Sequence, residues 1–288
     1  MKLVKSLTGV AMLVASCAAF AQPSVPPQPA AGPTPDADTG NSGIIVSVFD
    51  AVRGVSLVQY LGLRMDDLLP TSASGAPEAG LLLDFGKLGG ANGSGTSWSD
   101  VFGASDSANI QYEVSGFDFT TTNISDTFIG KRLATTLASA STIKNTAFSG
   151  AITNGRSFLA AGLNSTSAQA CAGGNPCVAL ATSEPDYAGA GSMGPKYGNQ
   201  LPVNASSTVD SAMAFYLVSA NSNSGLNTLA VTTQYKNSAN LAQWLLTSGG
   251  NLTYSLAAAT TVVPLPAAVW LLLSGLTGFG VIGRRRAA

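Results

Sequence analysis

Ile110-Gln111-Tyr112-Glu113-Val114-Ser115 is the stretch whose reading decides the fold. Apolar Ile110, Tyr112 and Val114 alternate with polar Gln111, Glu113 and Ser115, and a period of two places the apolar set on one face of an extended strand. Gly116 interrupts the pattern and Phe117 and Phe119 resume it, which predicts a bulge or a change of buried face. Outward from this strand lie further short, β-branched or aromatic runs: Ile44–Phe49, bounded by Gly43 and Asp50, Leu81–Phe85, between Gly80 and Gly86, and Val55–Leu61, Met213–Val218 and Thr228–Tyr235. Trp244–Thr247 and Leu252–Leu256 flank Ser248-Gly249-Gly250-Asn251, which predicts a hairpin. Two stretches read otherwise. From Asp126 through Phe128, Lys131, Leu133, Leu137 and Ala138 a spacing of three and four predicts a helix, and Ala147–Leu163 predicts a second, weakened by Gly150 and Gly155. The sum is a mainly β domain over residues 41–258, with a small helical insertion and a sandwich-like arrangement favoured over a barrel.

The two ends of the chain carry a different kind of information. Lys2 and Lys5, an apolar core from Leu7 to Ala15, and Ala19-Phe20-Ala21 form a three-part export signal over residues 1–21, with cleavage before Gln22. Val14-Ala15-Ser16-Cys17 offers an alternative, in which Cys17 is acylated as in a lipoprotein; the cleavage site after Ala21 is preferred. Residues 22–40 hold six prolines and almost no apolar bulk, and so form a semi-extended linker that cannot bury a core.

At the other end, residues 259–288 contain Val263-Pro264-Leu265-Pro266-Ala267, an uncharged run over residues 265–283, and Arg284-Arg285-Arg286. Nineteen residues of helix span about 28 Å, close to the hydrocarbon thickness of a bilayer, which predicts a transmembrane helix. The arginines hold its far end on the cytoplasmic side. The two prolines keep the entrance to the span extended. This layout resembles the VPLPA-type relative of the PEP-CTERM sorting signals found in Gram-negative bacteria that export polysaccharide, with Leu265 where the better-known form has Glu. The resemblance covers only the tail. It implies that an inner-membrane transpeptidase of the exosortase type recognises the proline motif and cuts near it, so that the protein passes through the inner membrane to the cell surface or the exopolysaccharide matrix.

Composition bounds what the body can do. Removing Lys2, Lys5 and the three terminal arginines leaves 9 basic residues against 15 acidic ones, a net charge of −6. With no basic cluster to neutralise phosphates, nucleic acid is not an expected partner. Cys171 and Cys177, separated by two glycines and a proline, predict a small disulfide loop in an oxidising compartment. The chain contains no histidine, which excludes the Ser-His-Asp and Cys-His arrangements. No P-loop, dinucleotide fingerprint or nucleophile elbow is present, and neither a metal nor a cofactor is expected.

Three weaker candidates complete the reading. Carboxylates at Asp66, Asp67, Asp84, Asp100, Glu113, Asp118, Glu184 and Asp186 could supply the pair that a glycan hydrolase needs about 5–9.5 Å apart. Asp36-Ala37-Asp38-Thr39-Gly40-Asn41 starts like a calcium loop but has Ser47 where the bidentate Glu belongs. Trp98, in a polar glycine-rich loop, either stacks on sugar or closes the loop onto the core; Trp244 reads as core and Trp270 as a membrane-interface residue. The expectation is a non-enzymatic exported protein, with a secreted hydrolase and an acylated outer-membrane lipoprotein as the alternatives.

Overall fold

The structure is a computed structural model, and it describes residues 42–68, 81–119, 130–139, 142–161, 163, 168–171, 175–181, 187–188, 205–220, 227–236 and 240–256. Twelve strands build one sheet: β1 (Gly43–Asp50), β2 (Val55–Arg64), β3 (Leu81–Lys87), β4 (Ile110–Phe119), β5 (Lys131–Leu137), β6 (Gln169–Ala170), β7 (Pro176–Ala181), β8 (Ser207–Thr208), β9 (Met213–Ser219), β10 (Val231–Gln234), β11 (Gln243–Leu246) and β12 (Asn251–Leu256). The order across the sheet is β3-β12-β11-β9-β5-β4-β1-β2-β7-β6, with β10 on β9 and β8 on β4, and the pairings are antiparallel. Among the described residues two α-helices accompany it, the short α1 (Trp98–Phe102) and the longer α2 (Asn145–Ala161), with two 3-10 turns at Met65–Leu68 and Ser107–Asn109. The protein is mainly β.

β4 lies in the middle of the order and carries apolar groups to both faces. Ile110, Tyr112 and Val114 enter one core, while Phe117 enters the other. The buried position therefore changes face, and it does so without a bulge, because Ser115↔Thr135, Gly116↔Ala134 and Phe117↔Leu133 follow in unbroken register. Gly116 is required by close approach: a Cβ there would lie 2.7 Å from Ile44 Cδ1 and 3.0 Å from the Gly43 carbonyl oxygen.

The first core joins strands from both halves of the order: Leu83 of β3, Tyr254 of β12, Trp244 of β11, Phe215 of β9, Leu57 of β2 and Cys177 of β7 share one cluster. A flat sheet would keep such distant strands apart, so the sheet curls on itself. Aromatic rings fill the middle. Trp244 has ring centroids 4.9 Å from Tyr254, 5.6 Å from Phe85 and 5.7 Å from Phe215. The Tyr112 hydroxyl crosses this core to donate to the carbonyls of Ser211 (2.7 Å) and Trp244 (2.9 Å). The second core lies on the convex face, where Phe148, Ala151, Ile152, Phe158 and Leu159 of α2 cover Phe117, Leu133 and Val218.

The strands predicted at the eight β-rich runs are present, as is the hairpin, with Leu246↔Leu252 closing its turn. The second predicted helix is α2, at 145–161 rather than 147–163. The first is corrected: Lys131–Leu137 is a strand, paired with β4 on one side and β9 on the other. Its side chains are buried on both faces except for half-buried Arg132, so apolar and small residues run almost continuously and the alternation that marks a one-sided strand is missing. The β-branched pair Thr135-Thr136 favours the extended form.

The export signal, the proline linker, the calcium-like stretch and the predicted span at 265–283 lie outside the described residues. Among the described residues no helix is long and apolar enough to cross a membrane.

The seam between α2 and the sheet gives a test. A Cβ on Gly155 would lie 2.8 Å from ring atoms of Phe117, itself 1% exposed. Gly155→Val gains a few tenths of a kcal/mol in helix propensity but forces apart a packed seam, at a cost of about 2 kcal/mol. Urea unfolding should show a lower midpoint with an unchanged slope; an unchanged or higher midpoint would contradict the packing described.

Candidate functional site

The predicted disulfide falls within the described residues, as do Trp98 and most of the candidate carboxylates. Gln169↔Cys177 and Ala170↔Pro176 pair β6 with β7, and the Cys171 amide donates to the Asn175 carbonyl at 2.8 Å. This turn brings the two Cα atoms to 5.8 Å, inside the range a disulfide requires, and Cys171–Cys177 is formed. Both cysteines are buried, and Thr96 Oγ1 lies 3.7 Å from Cys171 Sγ. The bridge thus pins the last hairpin of the sheet beneath the glycine-rich loop that follows β3.

That loop is built around Asp100. Its carboxylate accepts from the amides of Gly93 (2.9 Å) and Gly95 (3.1 Å), both at positive φ, while the Ser97 hydroxyl accepts from the Asp100 amide and caps α1. The Ser97 hydroxyl and these amides hold the Asp100 carboxyl below the usual carboxylate range. Trp98 does not present a face to solvent. It is buried against Phe102, with centroids 4.6 Å apart, and against Gly250 of the β11–β12 turn. The loop is closed onto the core, and the sugar-stacking reading of Trp98 is not supported. Trp244 is fully buried, as its sequence context predicts.

The candidate carboxylates serve local structure. Asp67 accepts from the Arg64 amide at 2.8 Å, and Asp84 from the Gly86 amide at 2.8 Å. Glu113 is fully buried opposite Ser47 in the β1–β4 pairing. Asp66 and Asp118 come together, but around a cation: Arg132 lies 2.8 Å from Asp66 and 3.7 Å from Asp118, and the Ser42 hydroxyl donates to Asp118 at 3.0 Å. A guanidinium bridges the two acids where a hydrolase would place substrate and water. Sequence reasoning missed this centre, because reading Lys131–Leu137 as a helix hid the strand that delivers Arg132 beside Asp118. Glu184 and Asp186 lie outside the described residues. Among the described residues, no group of three or more His, Cys, Asp or Glu could hold a metal ion.

No family model, no curated protein and no solved structure matches the chain.

The sorting motif (Val263, Pro264, Leu265, Pro266, Ala267), the terminal arginines (Arg284, Arg285, Arg286), Cys17 and the export cleavage residues Ala19 and Ala21 all lie outside the described residues, as does Trp270.

Two outcomes follow from the loop and its bridge. Replacing both cysteines by serine releases a seven-residue loop in the unfolded chain and should cost about 2 kcal/mol by the chain-entropy model, read as a lower urea midpoint. A double variant as stable as the oxidised parent would contradict it. Because the folded carboxyl of Asp100 binds its proton less readily than in the unfolded chain, its support is present above the unfolded pKa and is lost as pH falls through the folded value. Amide exchange at Gly93 and Gly95, corrected for intrinsic pH dependence, should speed up below about pH 4 in the parent and be fast at every pH in Asp100→Asn.

Proposed function

We propose that this chain is an exported, non-enzymatic protein of the cell surface or extracellular polysaccharide matrix, delivered by its VPLPA-type tail. The observation that carries the reading is the ordered layout of Val263–Ala267, the uncharged run 265–283 and Arg284–Arg286 behind an export signal. The export signal moves the folding chain across the inner membrane, and the arginines stop the tail within it. An exosortase-type transpeptidase then cuts near the prolines and releases the β domain from its anchor. Two features of the fold support the reading, the first its export and the second its lack of a hydrolase's carboxylate pair. The Cys171–Cys177 bridge suits an oxidising compartment. The carboxylates that a hydrolase would use cap turns and loops or flank Arg132. We read the curl of the sheet as two layers facing across the aromatic core, a sandwich-like body suited to a packed matrix.

Intact-mass analysis of protein recovered from the inner membrane and from the cell surface tests the reading. The membrane fraction should hold a species beginning at Gln22 and retaining the tail, and the surface fraction a shorter one ending near Pro264–Pro266. A surface form that keeps Arg284–Arg286 would contradict sorting by cleavage, and an acyl group on Cys17 would replace it with lipid anchoring.

A further inference from the structure

The antiparallel register fixes which end of the sheet faces the anchor. Five pairing steps separate β12 from β1 in the order β12-β11-β9-β5-β4-β1, so the chain leaves β12 in the direction from which it enters β1. That end of the sheet holds Gly43, the end of β2 at Arg64, Phe119↔Lys131 and Ser219↔Val231. The opposite end holds the β1–β2 turn with Val52, the β11–β12 turn, and the segments containing Asp100, Asp106 and Asp210.

The tether is short. Leu256 ends β12 and the sorting motif begins at Val263, so full extension covers at most about 25 Å, or about 30 Å to Leu265 where the uncharged run starts. β10 uses up part of that reach. Leu256 pairs with Leu81 beside Ser255, whose other neighbour Gln243 meets Ala214, whereas Val231 meets Ser219. The tip of β10 therefore stands about four residues, or roughly 13 Å, further toward the anchor than the exit of β12. The end of the sheet is held within about 20 Å of the hydrocarbon edge even at full extension, and within reach of the headgroup layer, about 5–8 Å deep on each side, at any shorter extension.

The exposed side chains agree. Leu229 and Val231, 48% and 45% exposed, stand at the tip of β10, and Arg64 and Lys144 are exposed at the same end, Lys144 bridging directly to Leu229. Asp66 and Asp67 also lie there, the first on Arg132 and the second on the Arg64 amide. The exposed acids Asp100, Asp106 and Asp210 stand at the far end together with the exposed Arg53 and Lys87, so that end carries an excess of acid and a negatively charged surface disfavours it. Apolar side chains flanked by basic ones are what a phospholipid interface accepts.

We propose that, before cleavage, the β10 end of the folded domain rests on the outer surface of the inner membrane, with Leu229 and Val231 in the headgroup layer. The proposal rests on the anchor reading above.

The full chain in vesicles of phosphatidylethanolamine and phosphatidylglycerol, doped with a phospholipid carrying a photoreactive diazirine at headgroup depth, provides the test. Adducts on the peptide holding Leu229 and Val231 should exceed those on the peptide holding Val52, itself 77% exposed, by at least about fivefold. Adducts in residues 265–283 with none above the Val52 level at Leu229–Val231 would overturn the docking pose alone. No adducts in 265–283 either would overturn the anchor reading, and the pose with it. Leu229→Ser/Val231→Ser should lower labelling of that peptide severalfold while leaving labelling of 265–283 unchanged; equal labelling of the variant and the parent would overturn the role of these side chains.

Discussion

The Tyr112 hydroxyl, donating across the aromatic core to the carbonyls of Ser211 and Trp244, joins β4 to β11 through the interior of the curl. A single sheet with apolar groups on both faces cannot lie open in water. One face has to fold over on itself and the other has to be covered. Tyr112 and the rings of Trp244, Phe215, Tyr235 and Tyr254 answer the first demand, and α2 answers the second. Burial raises the hydroxyl pKa of Tyr112, Tyr235 and Tyr254, since each phenolate would have to form away from water. The aromatic core thus keeps its tyrosines neutral, while Arg132 pairs with Asp66 and Asp118 outside it.

How far the fold could be read in advance depended on which faces each strand buries. Strands with one wet side announce themselves: β12 alternates Leu252, Tyr254 and Leu256 with Asn251, Thr253 and Ser255, and its turn was equally plain. β1 is buried along its whole length yet short and β-branched, with Gly43 and Asp50 marking its ends, so punctuation served where alternation did not. β5 has Gly130 before its first residue but neither alternation nor a marker at its far end, and a chance spacing of Leu133 and Leu137 imitated a helix. α2 was legible despite its glycines because its apolar positions recur at helical spacing; Gly155 reflects the approach of Phe117 and not a break. The curl itself was out of reach, since strand order depends on pairings between residues far apart in the chain.

The same logic explains what could be read of function. The proposed sorting signal is linear, so its residues can be read directly through charge, length and proline geometry. The Cys171–Cys177 bridge is nearly as local, six positions apart in one hairpin turn. The Asp66–Arg132–Asp118 centre joins β4, β5 and the turn after β2, and had no sequence signature. Among the described residues the carboxylates cap, brace and bridge: Asp67 and Asp84 hold turns, Asp100 holds a loop, and Arg132 joins Asp66 to Asp118. Under the proposed function the tail supplies the destination and the domain is its cargo.

The most direct test of that division of labour is a graft. Residues 257–288 would be fused to an unrelated exported β domain and expressed in cells that possess the sorting enzyme and in cells that lack it. The account predicts a tail-shortened reporter at the surface of the first and a full-length reporter held in the inner membrane of the second. A reporter that stays full length and membrane-bound in both would contradict the claim that the tail alone is the address.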